Sequence, residues 1–235
     1  MLKAVLFDFN GVIINDEPLH DRLLEQVLLE ENLRIKPEEY REVCLGRSDR
    51  VCLSDLLARR GRVPGDDYLD KLVARKSSLY QLQIQSMEKL PIYPGLNDLL
   101  FQIRAARLPL AVVSGAVRAE IEQVLKQADL AQYFSVIVAG DEIKTSKPDP
   151  EGYLLAVDCL NQQFSELQLQ PQNCLAIEDT FAGIEAAKKA GMQVVGVANS
   201  YPFHMMQRCS NWAVDYLNDL EFDRVKEVFA KKQVG

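Results

Sequence analysis

The sequence has few of the residues that build several common kinds of site. Only two histidines, His20 and His204, occur among 235 residues, which excludes a metal centre with several histidine ligands. No G-x-x-x-x-G-K-[ST] or G-x-G-x-x-G segment occurs, so the two common nucleotide-binding loops are missing. Lysine and arginine number 27 against 34 aspartates and glutamates, and the net charge of -7 disfavours nucleic acid or an anionic membrane as a partner.

Cysteines and long apolar stretches are also scarce. The five cysteines are scattered without a C-x-x-C pair, a pattern typical of reduced thiols in a cytoplasmic protein. No apolar stretch reaches the length of a transmembrane helix, and the short apolar run in MLKAVLFDFNGV does not resemble a signal peptide. The composition, 48% hydrophobic, predicts a globular protein with a sizeable core. The cysteines favour a cytoplasmic location, and a monomer and a homodimer both stay open.

Short apolar runs recur along the chain and indicate alternating strands and helices. The runs span residues 4–7, 110–113, 136–139, 175–177 and 194–197. Runs of this length predict buried parallel strands. Helical patterns separate the later runs, for example at 120–127 and 183–189, so the predicted fold class is α/β with a doubly wound parallel sheet.

The interval between the first two predicted strands departs from this alternation. Residues 16–90 contain several helical patterns but no convincing strand. We therefore expect an all-helical cap at 16–90, inserted into a core domain formed by 1–15 and 91–235. The segment PIYPG, rich in turn-forming residues, marks the return to the core.

Polar residues follow three of the predicted strands. Asp8 follows the first strand, Ser114 follows the second, and the pair Glu178-Asp179 follows the fourth. Ligands of open parallel sheets bind beyond the carboxyl ends of the strands, so we expect these side chains to meet at one edge. Lys147, in the K-P-D-P turn after the third strand, can join them.

The residue types at this edge indicate the chemistry. Carboxylates that lie close together repel unless a cation sits between them, and oxygen ligands suit Mg²⁺, which also binds phosphate oxygens. Ser114 and Lys147 can supply a hydrogen bond and a positive charge to a phosphoryl group. Backbone N–H groups around Phe9 to Gly11 and at Gly115 can complete an anion site. The pattern predicts a Mg²⁺ site and a small phosphorylated metabolite as the partner.

Four segments together resemble the motifs of the haloacid dehalogenase superfamily. They are DFNGV after the first strand, SG after the second, KPDP, and EDTFAGIEAAKKAG, and their order and spacing match over nearly the whole chain. The helical insert resembles the lid of the β-phosphoglucomutase and phosphoglycolate-phosphatase branch. The resemblance implies a Rossmann-like core with a helical cap, and phosphatase or phosphotransferase activity.

The resemblance implies a role for each motif residue. Asp8 would attack phosphorus and form an aspartyl-phosphate. Asp8, the backbone carbonyl of Asn10 and Asp179 would hold Mg²⁺, with Glu178 beside the metal, directly or through water.

The resemblance also implies contacts with the substrate. Ser114 and Lys147 would hold the phosphoryl oxygens. Cap segments 46–50 and 75–76 are similar to segments that contact substrate in the mutase branch, where arginine suits a second phosphate or a carboxylate. The implied substrate-binding residues are Gly115, His20, Arg47, Arg50 and Lys76. Residues 116–117 are Ala-Val in place of the polar pair of the mutase, which argues against a bis-phosphate substrate.

Asn10 departs from the family pattern. Phosphatases and mutases of this family carry an aspartate there, which protonates the leaving oxygen and later deprotonates water. An amide can make neither proton transfer. Because general acid–base catalysis accelerates a reaction by about 10² to 10⁴, hydrolysis of ordinary phosphate monoesters is expected to be slower by a factor of that order. Three explanations stay open: a substrate with a good leaving group such as an acyl phosphate, a protein that binds phosphorylated ligands while catalysing little, or partial replacement by His20. Deamidation at Asn10-Gly11 would restore an acid, and an engineered substitution is a further explanation.

Overall fold

A computed structural model describes residues 1–36 and 38–231. Pro37, within the predicted cap, and the last four residues of the predicted core lie outside the described residues. The strands are β1 (Ala4–Phe7), β2 (Leu110–Val113), β3 (Val136–Val138), β4 (Cys174–Glu178), β5 (Gln193–Val197) and β6 (Trp212–Val214). The helices are α1 (Glu17–Glu30), α2 (Asp49–Ala58), α3 (Asp66–Ser86), α4 (Leu96–Ala105), α5 (Arg118–Gln127), α6 (Glu151–Gln163), α7 (Phe181–Lys189), α8 (Phe203–Cys209) and α9 (Phe222–Lys231).

The strands form one parallel sheet in the order β3-β2-β1-β4-β5-β6. The order reverses at β1, because the chain winds first to one side of it and then to the other, so the predicted doubly wound α/β fold is confirmed. Phe7, the last residue of β1, lies level with Val112 of β2 and Ile177 of β4. This register places the residues that follow the three strands side by side.

The sheet is buried on both faces. Along β1, Val5 and Phe7 pack into one hydrophobic cluster, and Ala4 and Leu6 pack into the other. Helices cover both faces, which is why the strands read as continuous apolar runs in the sequence. Within the described residues, no helix has both the length and the apolar character needed to cross a bilayer.

The apolar runs in the sequence predict five strands, and they do not predict β6. β6 has three residues, and only Val214 is fully buried, so it lacks the apolar run that marks the other strands. Trp212, in this strand, stacks on Phe229 of α9 with ring centroids 6.2 Å apart. A short edge strand that packs against a helix is hard to recognise from composition alone.

In the described part of the connection between β1 and β2, the regular elements are helical. This segment contains α1, one π-helical turn (Tyr40–Cys44), and then α2, α3 and α4. Its inner faces form a separate hydrophobic cluster, which includes Val27, Leu53 and Leu72. Tyr80 of α3 packs instead into the cluster beside the sheet. The described part of 16–90 is thus helical and has a core of its own, while the exact domain boundaries stay a prediction.

Candidate active site

Lys147 joins the carboxylates at the end of the sheet. Its Nζ lies 2.8 Å from Asp8 Oδ1 and 2.7 Å from Glu178 Oε1, and it donates to the carbonyl oxygen of Val113 at 3.1 Å. Lys147 and the two acids are all buried. Burial by itself would lower the pKa of Lys147, but Asp8 and Glu178 outweigh it and raise the pKa above its usual value. The lysine is therefore a fixed positive charge beside Asp8.

Glu178 is held by several donors. Its Oε1 accepts hydrogen bonds from Lys147 at 2.7 Å and from the Tyr153 hydroxyl at 2.6 Å, and Oε2 accepts one from the Thr180 hydroxyl at 3.3 Å. This arrangement fits a side chain that orients Lys147 and adds negative charge to the site. The direct metal contact implied by the resemblance stays a prediction.

Three buried carboxylates converge on a small volume. Asp8, Glu178 and Asp179 each offer an oxygen within 4.8 Å of the other two. Burial and the neighbouring Glu178 raise the pKa of Asp8 to about 8, and burial together with Asp8 and Glu178 raises the pKa of Asp179 well above its usual value. Asp179 Oδ1 is buried and has no hydrogen-bond partner among the described residues. Three carboxylates share the single charge of Lys147, and an oxygen-only ligand set with an unpartnered oxygen on Asp179 fits Mg²⁺.

The loop after β1 is shaped by Gly11. Its φ is +79°, and a Cβ at this position would lie 2.0 Å from Asp179 Oδ2, so glycine is required both for the turn and for the close approach. The Asn199 side chain donates to the Gly11 carbonyl oxygen at 2.6 Å, and the Ser200 hydroxyl donates to Asp179 Oδ2. The loop after β5 thus supports the loop after β1.

The Asn10 side chain is held by residues at the start of the helical segment 16–90. Its Nδ2 donates to both carboxylate oxygens of Asp16, at 3.0 and 3.1 Å, and lies 3.0 Å from His20 Nε2. Ser114 Oγ lies 3.4 Å from Asn10 Oδ1, so residue 10 bridges the core and α1. Burial would raise the pKa of Asp16, but His20 and hydrogen bonds from Tyr80 and Asn10 hold it below its usual value. Asp16 is therefore the anion to which the Asn10 amide is tied.

Lys76, predicted to bind substrate, is fully buried where α3 packs against α5. Its Nζ lies 2.7 Å from Asp49 Oδ2 and 3.4 Å from both carboxylate oxygens of Glu120 in α5. It also contacts His20 Nδ1. Burial would lower the pKa of Lys76, yet Asp49 and Glu120 outweigh it and raise the pKa. The charge of Lys76 is thus compensated inside the protein.

The two predicted arginines have different surroundings. Arg47 borders the cavity, but its guanidinium binds Asp55 at 2.8 Å and the Val43 carbonyl oxygen at 3.0 Å. Arg50 lies at the surface, paired with Asp66 at 2.6 Å and with Asp70. The structure therefore brings Arg47, His20 and Gly115 to the cavity but not Arg50, whose substrate contact stays a prediction.

The cavity above Asp8 is small. It has a volume of about 30 Å³, room for about two water molecules. Its wall combines Asp8, Asn10 and Gly115 from the core with His20, Arg47 and Asp49 from the cap segment. A Cβ on Gly115 would lie 2.7 Å from the Arg47 carbonyl oxygen, so glycine permits the cap backbone to lie against the core.

Several supporting residues were not expected from the sequence. Ser200 lies in the loop after β5, which ends at Val197, so a search for polar residues beyond the strand ends could have found it. Glu120 is an acid on the buried face of α5, beside Ile121 and Val124, and a charge in such a stripe signals a buried partner. Asp16 and Tyr153 carry no comparable signal, because only the packing of helices brings them to the site.

Known proteins resemble this chain in sequence and in structure. The family model of haloacid dehalogenase-like hydrolases matches residues 2–191. A phosphorylated carbohydrates phosphatase of Thermotoga maritima is 29% identical over 85% of this chain and 87% of its own. The β-phosphoglucomutase of Bacillus subtilis is 29% identical over 86% and 85%.

Two solved structures are similar to this chain in fold. The β-phosphoglucomutase of Clostridium difficile superposes on this chain with a TM-score of 0.86, and the superposition covers all of both chains. The two sequences are 24% identical, so this similarity is evidence for the fold alone. CbbY of Rhodobacter sphaeroides, in a variant with aspartate changed to asparagine and in complex with xylulose-(1,5)bisphosphate, has a TM-score of 0.81 at 25% identity, over 94% of this chain and 97% of its own. The chain therefore belongs to the haloacid dehalogenase-like hydrolase family.

Proposed function

We propose that the chain is a Mg²⁺-dependent phosphohydrolase or phosphotransferase that acts on a small phosphorylated metabolite through an aspartyl-phosphate at Asp8. The observation that carries the proposal is the contact between Lys147 and Asp8, at 2.8 Å, beside the orphaned oxygen of Asp179. The relatives include a phosphorylated carbohydrates phosphatase, a β-phosphoglucomutase and a phosphoglycolate phosphatase. They support a sugar phosphate or a similar anion as the substrate. The cysteine pattern supports a cytoplasmic location.

Only one carboxylate oxygen of Asp8 is free to attack phosphorus. Lys147 and the backbone N–H of Phe9 both bind Oδ1, at 2.8 and 2.7 Å, which leaves Oδ2 as the nucleophile. A bond forms between Oδ2 and phosphorus while the bond from phosphorus to the leaving oxygen breaks. Lys147 and Ser114 would hold the phosphoryl oxygens during this transfer. Mg²⁺, held by Asp8, Asp179 and the Asn10 carbonyl, would supply the positive charge that draws a phosphate toward these carboxylates.

Asn10 sets a limit on this chemistry. The leaving oxygen needs a proton, and the Asn10 amide has none to give because its N–H groups are bound to Asp16 and are not acidic. Substrates whose leaving group is a weak base, such as acyl phosphates, need no such proton. Hydrolysis of the aspartyl-phosphate is slowed as well, because an amide cannot deprotonate the attacking water.

The helical segment 16–90 is proposed to act as the cap of this site. A cavity of about 30 Å³ has no room for a sugar phosphate, so the segment has to move away from the core before a substrate can enter. The ion pair between Lys76 and Glu120 would break or rearrange in that movement. Monomer and homodimer both remain compatible with this mechanism.

A second candidate function follows from Asn10. A protein of this fold that binds phosphorylated ligands while catalysing little would keep Asp8, Lys147 and Asp179 and lack the acid at position 10. The CbbY variant solved with xylulose-(1,5)bisphosphate has aspartate replaced by asparagine, so such a change in that protein is compatible with a bound ligand.

Phosphate release decides between the two functions. We expect the chain to release phosphate from acetyl phosphate, and more slowly from sugar phosphates or phosphoglycolate, with Mg²⁺ but not with EDTA. Asp8→Asn should abolish the release, whereas Asp98→Asn, an exposed change on α4, should leave it intact. Release that survives Asp8→Asn would contradict the proposal. Binding of these compounds without any release would establish the second candidate.

A further inference from the structure

Arg41 lies in the π-helical turn (Tyr40–Cys44) of the helical segment and contacts the core. Its guanidinium donates to the carbonyl oxygen of Ser200 at 2.6 Å and lies over the Tyr201 ring, with Cζ 4.6 Å from the ring centroid. Tyr201 packs in turn against Phe181, the first residue of α7, with ring centroids 4.1 Å apart. A hydrogen bond and a cation–π contact together orient an exposed arginine. Arg41 therefore connects the helical segment to the loop after β5 (198–202).

Ser200 connects this loop to Asp179. Its hydroxyl donates to Asp179 Oδ2, whereas Oδ1 is buried and has no hydrogen-bond partner among the described residues. The proposed function assigns Asp179 to Mg²⁺, so the hydrogen bond to one oxygen orients the other toward the metal. Removal of a hydrogen-bond partner of a metal ligand typically lowers metal affinity by about 10 to 100-fold. The position of the loop after β5 therefore affects the affinity for Mg²⁺.

The contacts from Arg41 through Ser200 to Asp179 cross between two parts of the chain that are proposed to move apart. When the helical segment leaves the core to admit a substrate, the contact of Arg41 with Ser200 breaks, and the loop after β5 loses a support. A contact made in only one of two arrangements couples that arrangement to binding at the site it supports, and such coupling is reciprocal. Mg²⁺ should therefore bind more tightly to the closed arrangement.

We propose that Arg41 is a positioning residue that couples closure of the helical segment to Mg²⁺ binding through Ser200. The inference rests on the proposed function for the presence of Mg²⁺ at Asp179, and it adds a residue that touches neither the metal nor the substrate. The direction of the effect distinguishes positioning from charge. Loss of a positive charge near a cation site would by itself strengthen Mg²⁺ binding, whereas loss of positioning weakens it.

Calorimetric titration of the substrate-free chain with Mg²⁺ tests the inference without relying on turnover. Arg41→Ala should weaken Mg²⁺ binding by about fivefold, the lower end of coupling between sites, because the contact with Ser200 is exposed to solvent. Arg41→Lys keeps a donor for the Ser200 carbonyl oxygen and should recover part of this loss. The matched control Arg22→Ala removes the same charge from an exposed position of α1 and should bind Mg²⁺ like the parent chain.

A double-mutant cycle tests the connection through Ser200. Ser200→Ala removes the hydroxyl that holds Asp179 but keeps the carbonyl oxygen that Arg41 contacts. This change alone should weaken Mg²⁺ binding by about tenfold, and Arg41→Ala added to it should weaken binding further by less than about twofold. Hydrogen exchange measures the reciprocal effect. Mg²⁺ should slow exchange of the backbone amides at 40–44 in the parent chain and not in Arg41→Ala.

The outcomes separate the inference from the proposed function. Unchanged or tighter Mg²⁺ binding by Arg41→Ala would overturn the inference and leave the proposed function intact. A further fivefold loss when Arg41→Ala is added to Ser200→Ala would also overturn it, because the effect would then bypass Ser200. Failure of the parent chain to bind Mg²⁺ would overturn both. If the coupling is found but no compound releases phosphate even with the Asn10→Asp variant, the proposed function fails while the coupling stands.

Discussion

Replacing Asn10 with aspartate is expected to raise Mg²⁺-dependent phosphate release from sugar phosphates by about 10² to 10⁴. A carboxylic acid at position 10 can protonate the leaving oxygen, which the amide cannot. Its side chain would lie about as close to Asp16 as the present amide, 3.0 to 3.1 Å away. Two carboxyl groups at that distance share a proton, so the new side chain would hold the proton that the leaving oxygen requires.

Two substrates with different leaving groups distinguish protonation by residue 10 from a general effect of the added negative charge. The rate of Asp8 phosphorylation, measured in a single turnover, should rise much less with acetyl phosphate than with a sugar phosphate, because the acyl leaving group needs little protonation. Asn97→Asp, an exposed change at the start of α4, is the matched control and should change neither rate. An equal gain for both substrates, or no gain, would show that residue 10 is not the missing acid.

Replacing Lys147 with alanine is expected to lower the free energy of unfolding by about 3 to 5 kcal/mol in the metal-free protein at pH 8. Lys147 is the cation within 2.8 Å of both Asp8 and Glu178, and its loss leaves buried carboxylates without a counter-charge. The loss should be smaller at pH 5. Burial and Glu178 already raise the pKa of Asp8 to about 8, so at pH 5 this carboxyl is protonated in the folded protein and needs no cation.

Urea unfolding of the two proteins at both pH values, in EDTA, measures this difference. Lys144→Ala, an exposed lysine three residues earlier, is the matched control and should unfold like the parent chain. Saturating Mg²⁺ should restore part of the stability lost at pH 8, since it binds the same carboxylates. A Lys147→Ala variant as stable as Lys144→Ala would mean that the buried ion pairs of the structure do not exist in solution.

The convergence of Asp8, Ser114 and Asp179 could be predicted because parallel strands end at a common edge. That rule needs only the positions of the apolar runs, and the pairing of Phe7 with Val112 and with Ile177 bears it out. Lys147 was expected from its motif, and the structure places it against Asp8. These features are local consequences of strand order.

Contacts that depend on how helices pack could not be predicted in the same way. Asp16 reaches Asn10, and Tyr80 reaches Asp16, only because α1 and α3 lie against the core in one particular arrangement. Arg50 has the same chemistry whether it faces the cavity or the solvent, so its pairing with Asp66 had no signal in the sequence. The short strand β6 was missed because its backbone pairing with β5, and not an apolar run, defines it.

The mass of the intact protein after incubation with acetyl phosphate and Mg²⁺ tests the central proposal most directly. Asp8 can attack this substrate without help from residue 10, and Asn10 cannot activate water to remove the phosphoryl group. One phosphoryl group should therefore accumulate on the protein, map to the peptide that contains Asp8, and be absent from Asp8→Asn. Phosphate release without a phosphorylated Asp8, or a phosphoryl group on another residue, would contradict an aspartyl-phosphate at this site.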